Sequence, residues 1–406
     1  SQIAPVADAK LVLTRPSLHM SELTPEDALR LNVLLAGEIQ AIRIDEANMT
    51  VLGLSPRGEA AVKLHPTGRS DQYLRKVREL LAGHAIGSPG GYPVYIQRWT
   101  RMGQARDKGL DRLLLLGEPE AVVSVAYSNG LTDELARYAW WAMPTADNAR
   151  RMLERQCVVQ AQIGKVLADY LIEHLPFENE PHIIMDTVRI VLQPGLTDTA
   201  ARQRLWKKAA YDNAYYIGFL ERMPDELPEQ QAPRVDWEAQ RVKLTPLIVK
   251  GNTYACQLER LLSGSGQTFL QTSEEVMRRP ENQDVVVALL NAVAAYFAAV
   301  KTGIGACGSS VEASLAHAEA ACASSEQQEE IRDLLNAVPE LAGEIQAMIA
   351  LACMNAEVAT PVLALTTASG TLMRKKLEPV ITPILQLFAV LRGQPFTATS
   401  PTRKRR

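Results

Sequence analysis

The chain has 406 residues, 47% hydrophobic and 22% charged, with a formal net charge of −3. It therefore lacks both the polar excess of a disordered chain and the global positive field of a nucleic-acid or anionic-lipid binder. Its length can bury two or three domain cores without disulfides or metals, and five cysteines, an odd number with no CxxC pair, point to a reducing compartment. Residues 1–19 show neither periodicity nor a leader pattern, so a disordered extension, a natural start at Met20 and a cytoplasmic location are expected.

From residue 20 the local signals are clear. In LTPEDALRLNVLL, Thr24 can cap a helix with Pro25 in its first position, Glu26 and Asp27 suit its dipole, and Leu29, Val33 and Leu34 would form its buried face. The period then changes to two. Ile42 and Ile44 alternate with Arg43 and Asp45, residues 51–54 form a second strand, SPRG has turn chemistry, and Val62 and Leu64 alternate with Lys63. A β-meander follows from these, then a helix over residues 70–81, a fourth strand over 92–99, and helices over 109–116 and 120–127. Residues 20–130 thus read as an α+β domain with a small antiparallel sheet.

Helix signals alone fill residues 131–228. Thr132, Thr145, Pro181 and Asp198 mark starts, and Val159, Ile163, Val166, Leu167, Tyr170 and Leu171 form one long apolar face. Prolines 144, 176, 194 and 224 mark stops, and alternate ones lie 50 or 48 residues apart, near the ~40 to 47 of HEAT-type repeats. The expectation is a stacked, HEAT-like helical array without residue-level repetition. Residues 229–250, with Pro233, Pro246 and mixed charge, read as a linker. Residues 251–395 read as a C-terminal helical domain with helices near 252–263, 284–301, 309–337, 340–356 and 377–392, followed by a basic disordered tail over 396–406. The run 285–300, apolar apart from Asn291, is too short for a membrane span and reads as a core helix.

Several strings resemble the DsrS family. They are LTPEDALRLNVLL, AIRIDE, SPGGYPVYIQRWTRMGQ, LLLLGEPEAVV, WWAMPTADNARRML and LIEHLPFE, spread over residues 20–227. DsrS is a cytoplasmic protein encoded with the dissimilatory sulfite reductase genes of sulfur-oxidising bacteria and labelled a sulfur reduction protein. The resemblance implies a pathway, sulfur oxidation, and no particular reaction, cofactor or catalytic residue.

The residues themselves offer few candidate sites. Residues 303–308, GIGACG, satisfy G-x-G-x-x-G but follow a predicted helix instead of a strand, which argues against dinucleotide binding. The six histidines never pair at i,i+4, and although His174 and His182 lie near Glu173, Glu178 and Glu180, a solvated loop is the simpler reading, so no metal and no cofactor are expected. Residues 69–112 hold nine Lys or Arg against four acids, and Tyr92, Tyr95, Arg98, Trp99 and Arg101 could form an RNA surface or a plain solvated strand. In Trp140-Trp141 and Tyr215-Tyr216, ~100° apart on a helix, one ring of each pair should face the core, and an exposed Trp140 or Trp141 could anchor a partner. Cys157 is the thiol best placed for sulfur chemistry, preceding a helix and following Arg150, Arg151 and Arg155; Cys256, Cys307, Cys322 and Cys353 read as small buried apolar residues.

Three functional readings follow. The first is a non-enzymatic accessory protein of cytoplasmic sulfur oxidation whose helical region binds a protein partner. The alternatives are a thiol-based sulfur relay using Cys157 and an RNA-binding regulator using residues 69–112.

Overall fold

The computed structural model describes residues 23–87, 109–301, 307–323, 329–365 and 370–396. The fold is α+β: a three-stranded antiparallel sheet near the amino terminus, followed by helices. Two compact units divide between Val158 and Val159. None of the helices among the described residues is long and apolar enough to cross a membrane.

In the first unit, α1 (Pro25–Leu35) begins where Thr24 accepts from the Asp27 amide at 3.2 Å. Strands β1 (Ala41–Asp45), β2 (Thr50–Ser55) and β3 (Gly58–Lys63) form a meander in the order β1-β2-β3. Its register sets Val51 opposite both Ile44 and Val62. Helix α2 (Ser70–Ile86) closes the core with Tyr73, Leu74, Val77 and Leu81. The free edge of β1 meets the segment after α3 (Leu110–Leu113), where the Ile42 amide donates to the Leu114 carbonyl at 2.8 Å. Gly117 there has φ +63°, and a Cβ would lie 2.9 Å from Ile44, so backbone conformation and close approach both require glycine.

One buried polar network joins these elements. Asp27, fully buried, accepts from the His65 amide (2.6 Å), the His65 Nδ1–H (3.0 Å) and the Tyr73 hydroxyl (2.6 Å). Burial pushes its carboxyl upward, but the bonds from the His65 amide and ring and from Tyr73 outweigh that and hold it below the usual carboxylate range. Asp27 is therefore more than a first-turn acid suited to the helix dipole. It ties α1 to α2 and to the end of β3.

Three short helices complete this unit, α4 (Pro119–Tyr127), α5 (Asp133–Ala142) and α6 (Ala146–Met152), and a fourth, α7 (Gln156–Gln160), crosses the unit boundary. Thr132 and Thr145 cap α5 and α6, as their sequence positions predict. Two face assignments are corrected. Leu29 and Val33 are 65% and 67% exposed, because α1 turns Asp27, Leu31, Leu34 and Leu35 inward. The apolar run beginning at Val159 breaks at Ala161, so that Val166 on α8 (Gln162–His174) faces outward.

The second unit continues with α8, α9 (Pro181–Val191), α10 (Thr199–Ala209) and α11 (Asn213–Arg222). Trp206 stacks edge-on against Tyr216 and Phe219, with ring centroids 4.8 and 5.1 Å apart. Both Tyr215 and Tyr216 are buried, where the sequence places one in the core and the other at its edge. Gly218 lets α11 close on α9, since a Cβ would lie 2.6 Å from Val188.

The segment 229–250, expected as a linker, contains a 13-residue helix, α12 (Trp237–Val249), with Pro246 inside it. Helix α12 shows no amphipathic stripe, which is why periodicity missed it. Ion pairs hold the segment beside the buried Leu244 and Leu247: Arg234, nearly buried, forks onto Asp236 at 2.6 Å and reaches Glu344 at 2.7 Å. Burial alone would lower its pKa, but the two carboxylates raise it, so the guanidinium stays charged.

Helix α13 (Thr253–Leu262) turns directly into α14 (Gly264–Arg278), a helix absent from the sequence reading. Ser-Gly-Ser-Gly looks like a flexible loop, yet Ser263 caps α14, and a Cβ on Gly266 would lie 2.3 Å from the Arg260 carbonyl oxygen. These small residues allow a tight helix junction. After them come α15 (Gln283–Tyr296), α16 (Ala298–Lys301), α17 (Val311–Ala323), α18 (Glu329–Ala337), α19 (Ala342–Cys353), α20 (Thr360–Leu363) and α21 (Gly370–Leu391). Helix α19 is buried at every position from Ala347 to Cys353, packing against α17 and α21.

Candidate functional site

The carboxyl end of α19 carries a cluster of two cysteines and a histidine. Cys353, 2% exposed, is the last residue of α19, and α17 packs alongside. Cys307 lies just before α17, half-buried, and its sulfur is bonded to that of Cys353, 46 positions further along the chain, with Cα atoms 5.4 Å apart. The third member is His317 on α17. One of its ring nitrogens and the two sulfurs all lie within 4.8 Å of one another. Its Nε2 is buried without a hydrogen-bond partner, a condition that costs free energy in a folded protein.

This corrects the sequence expectation for both cysteines. They were read as separate apolar residues because each sits among Ala, Gly and Met and no CxxC spacing links them. Tertiary packing of α17 on α19 brings them together, and no local pattern encodes that. The same packing supplies the histidine, so spacing along the chain hid all three groups.

The other cysteines are free thiols. Burial pushes the Cys322 thiol up. Cys256 is exposed, not buried as expected, since α13 turns Ala255 and Leu258 inward. Cys157 is exposed and donates to the Leu131 carbonyl at 3.2 Å. It lies inside α7 as the second residue, not before a helix as expected, and α7 has five residues, too few to develop much of a dipole. The three arginines before it have other recorded partners. Arg150 approaches Asp147 at 3.6 Å, Arg151 approaches Glu154 at 2.8 Å and lies over the Tyr127 ring, and Arg155 donates to the Tyr127 carbonyl at 3.2 Å.

Trp141 has a structural task. Its Nε1–H donates to Glu59 at 2.5 Å, its carbonyl accepts from Arg43 at 3.2 Å, and the Arg43 guanidinium lies 4.9 Å from its ring centre. The tryptophan thereby fixes α5 to the sheet, while Trp140 is half-buried beside it. Tyr92, Tyr95, Arg98, Trp99 and Arg101, together with the fourth strand predicted over 92–99, lie outside the described residues, as do 1–19 and the tail beyond 396. Of the glycine motif over 303–308, Cys307 and Gly308 are described, and the element before it is a helix, as the sequence context predicts. His174 stacks on Tyr170 at 5.6 Å between ring centres, and His182 lies 4.0 Å from Glu180.

Compared with known proteins, the chain matches no family model, no curated protein and no solved structure.

Proposed function

We propose that the chain is an accessory protein of cytoplasmic sulfur oxidation that takes up sulfane sulfur stoichiometrically through the Cys307–Cys353 pair and docks on a protein partner. The observation carrying this reading is that pair: two sulfurs within bonding reach, one half-exposed and one buried. The pathway comes from the resemblance to DsrS, and the chemistry from the paired thiols. In the reduced protein, the accessible Cys307 thiolate attacks the terminal sulfur of a polysulfide, gaining one sulfur atom and releasing a polysulfide one atom shorter. The Cys353 thiolate then attacks the inner sulfur of the Cys307 persulfide, forming the disulfide and expelling hydrosulfide. The working thiol thus moves from Cys157, whose neighbouring arginines are engaged elsewhere, to a cysteine with a resolving partner.

The test is to treat the fully reduced protein with polysulfide and measure hydrosulfide, thiols and peptide masses. The reading expects hydrosulfide release with loss of two thiols, and a Cys353→Ser variant that retains one extra sulfur atom on Cys307. Sulfur accumulating on Cys157 while both thiols of the pair stay free would overturn it. Capture from an extract of sulfur-oxidising cells addresses the partner: a stoichiometric protein fits, whereas co-purifying RNA would favour the reading based on residues 69–112.

A further inference from the structure

We infer that, when the disulfide is reduced, Cys307, Cys353 and His317 form a zinc site, so that metal and disulfide are alternative states of the same two sulfurs. This goes beyond the sulfur-uptake reading and stands without it, because it rests on ligand geometry and not on the pathway.

Two thiolates and an imidazole are a ligand set suited to a thiophilic d¹⁰ ion. Tetrahedral zinc, with bonds of ~2.3 Å to sulfur and ~2.0 to 2.1 Å to nitrogen, requires its ligand atoms to stand roughly 3.5 to 3.8 Å apart. The three candidate atoms already lie within 4.8 Å of one another. Reduction has only to let the two sulfurs separate by about the difference between a disulfide bond and that spacing. The movement falls to Cys307, in coil before α17, because Cys353 is anchored at the end of the buried α19. A second observation points the same way: His317 Nε2 is buried without a hydrogen-bond partner, and a bound metal would satisfy such a nitrogen. Three protein ligands leave a fourth position for water or an incoming thiolate, as in sites where zinc is exchangeable or reactive.

The coupling to redox state is stoichiometric. Binding takes zinc onto two thiolates, releasing their protons, and so weakens as pH falls. A low-molecular-weight disulfide such as glutathione disulfide would then form one protein disulfide, break its own, and leave two glutathione thiolates and one free zinc ion.

Anaerobically reduced, metal-free full-length protein should bind one equivalent of zinc in competition with a chromophoric chelator. With cobalt as probe, it should show thiolate charge-transfer bands and the visible bands of a tetrahedral ion. Bound zinc should protect Cys307 and Cys353, but not Cys157, from alkylation, a readout that needs no variant. Glutathione disulfide should release the metal in step with loss of the two thiols. His317→Gln should weaken binding by more than the ~10 to 100-fold typical of losing an outer-shell partner. Cobalt spectra without thiolate bands, zinc that leaves both cysteines open to alkylation, or affinity unchanged in His317→Gln would each overturn the site. Failure of polysulfide uptake with zinc binding intact would sink the sulfur reading alone.

Discussion

Replacing Asp27 by Ala tests whether its network, and not only apolar packing, holds the first unit together. Asp27 is fully buried and receives three hydrogen bonds, one of them from a donor that water would not easily reach, the hydroxyl of the fully buried Tyr73, and another from the part-buried His65 amide. The third donor, the His65 ring, is more than half exposed and can turn to water. Each buried donor left without a partner costs about 1 to 3 kcal/mol. Tyr73 retains a contact of 3.2 Å with the Thr24 hydroxyl, which offsets part of its loss. The expected destabilisation is therefore about 3 kcal/mol, a large share of the ~5 to 15 kcal/mol typical of a domain. Because folding lowers the Asp27 pKa, its contribution is complete above the unfolded carboxylate value of ~3.9 and is lost as pH falls through the lower folded value. The gap between wild type and variant should accordingly narrow below about pH 4. Hydrogen exchange of α1 and β3 amides at pH 7 reads this unit separately from the second. A loss below ~1 kcal/mol at pH 7, or a gap that widens in acid, would refute the reasoning.

Five further substitutions have contrasting expectations. Gly266→Ala drives a Cβ into the Arg260 and Leu261 carbonyl oxygens and should cost more than about 2 kcal/mol in urea unfolding, whereas Gly83→Ala, in the interior of α2 with open space around it, should gain about 0.5 to 1 kcal/mol. Leu29→Ser should change stability by no more than ~0.5 kcal/mol, while Leu34→Ala on the inner side of α1 should cost about 2 to 5 kcal/mol. Trp141→Phe removes the bond to Glu59 and should cost about 1 kcal/mol without changing the reactivity of any cysteine, as thermal melts and alkylation rates can show.

What the sequence makes legible follows from locality. Thr24, Thr132, Thr145 and Asp198 cap the helices they announce, because a cap is a contact within three residues. The meander is equally readable, since its alternation and its turn are both local. Helix α14 was lost because glycine and serine suit both a loop and a close helix junction, and only the facing carbonyls decide between them. Helix α12 is hard to see because the exposed Val242 and Val249 spoil the periodicity of the buried Gln240, Leu244 and Leu247, and the ion pairs of Arg234 with Asp236 and Glu344 form only in the folded chain. Leu29 and Val33 were assigned to the wrong side of α1 because a carboxylate, Asp27, occupies the buried side, an arrangement explained only by His65 and Tyr73 some forty residues on. The site is the extreme case. Cys307, His317 and Cys353 meet only because α17 packs on the buried α19, so each looks like an isolated residue along the chain.

The central claim is that Cys307 and Cys353 act as one reversible redox unit, and a redox titration tests it most directly. The native protein is equilibrated in glutathione buffers of graded potential, quenched in acid, and each cysteine is scored by differential alkylation and peptide mass. The account predicts that Cys307 and Cys353 pass from thiol to disulfide together, as a two-electron couple changing tenfold per ~30 mV, while Cys157 and Cys256 remain alkylatable throughout. Cysteines 307 and 353 titrating separately, or either one forming its mixed disulfide with glutathione while the other stays a free thiol, would contradict it.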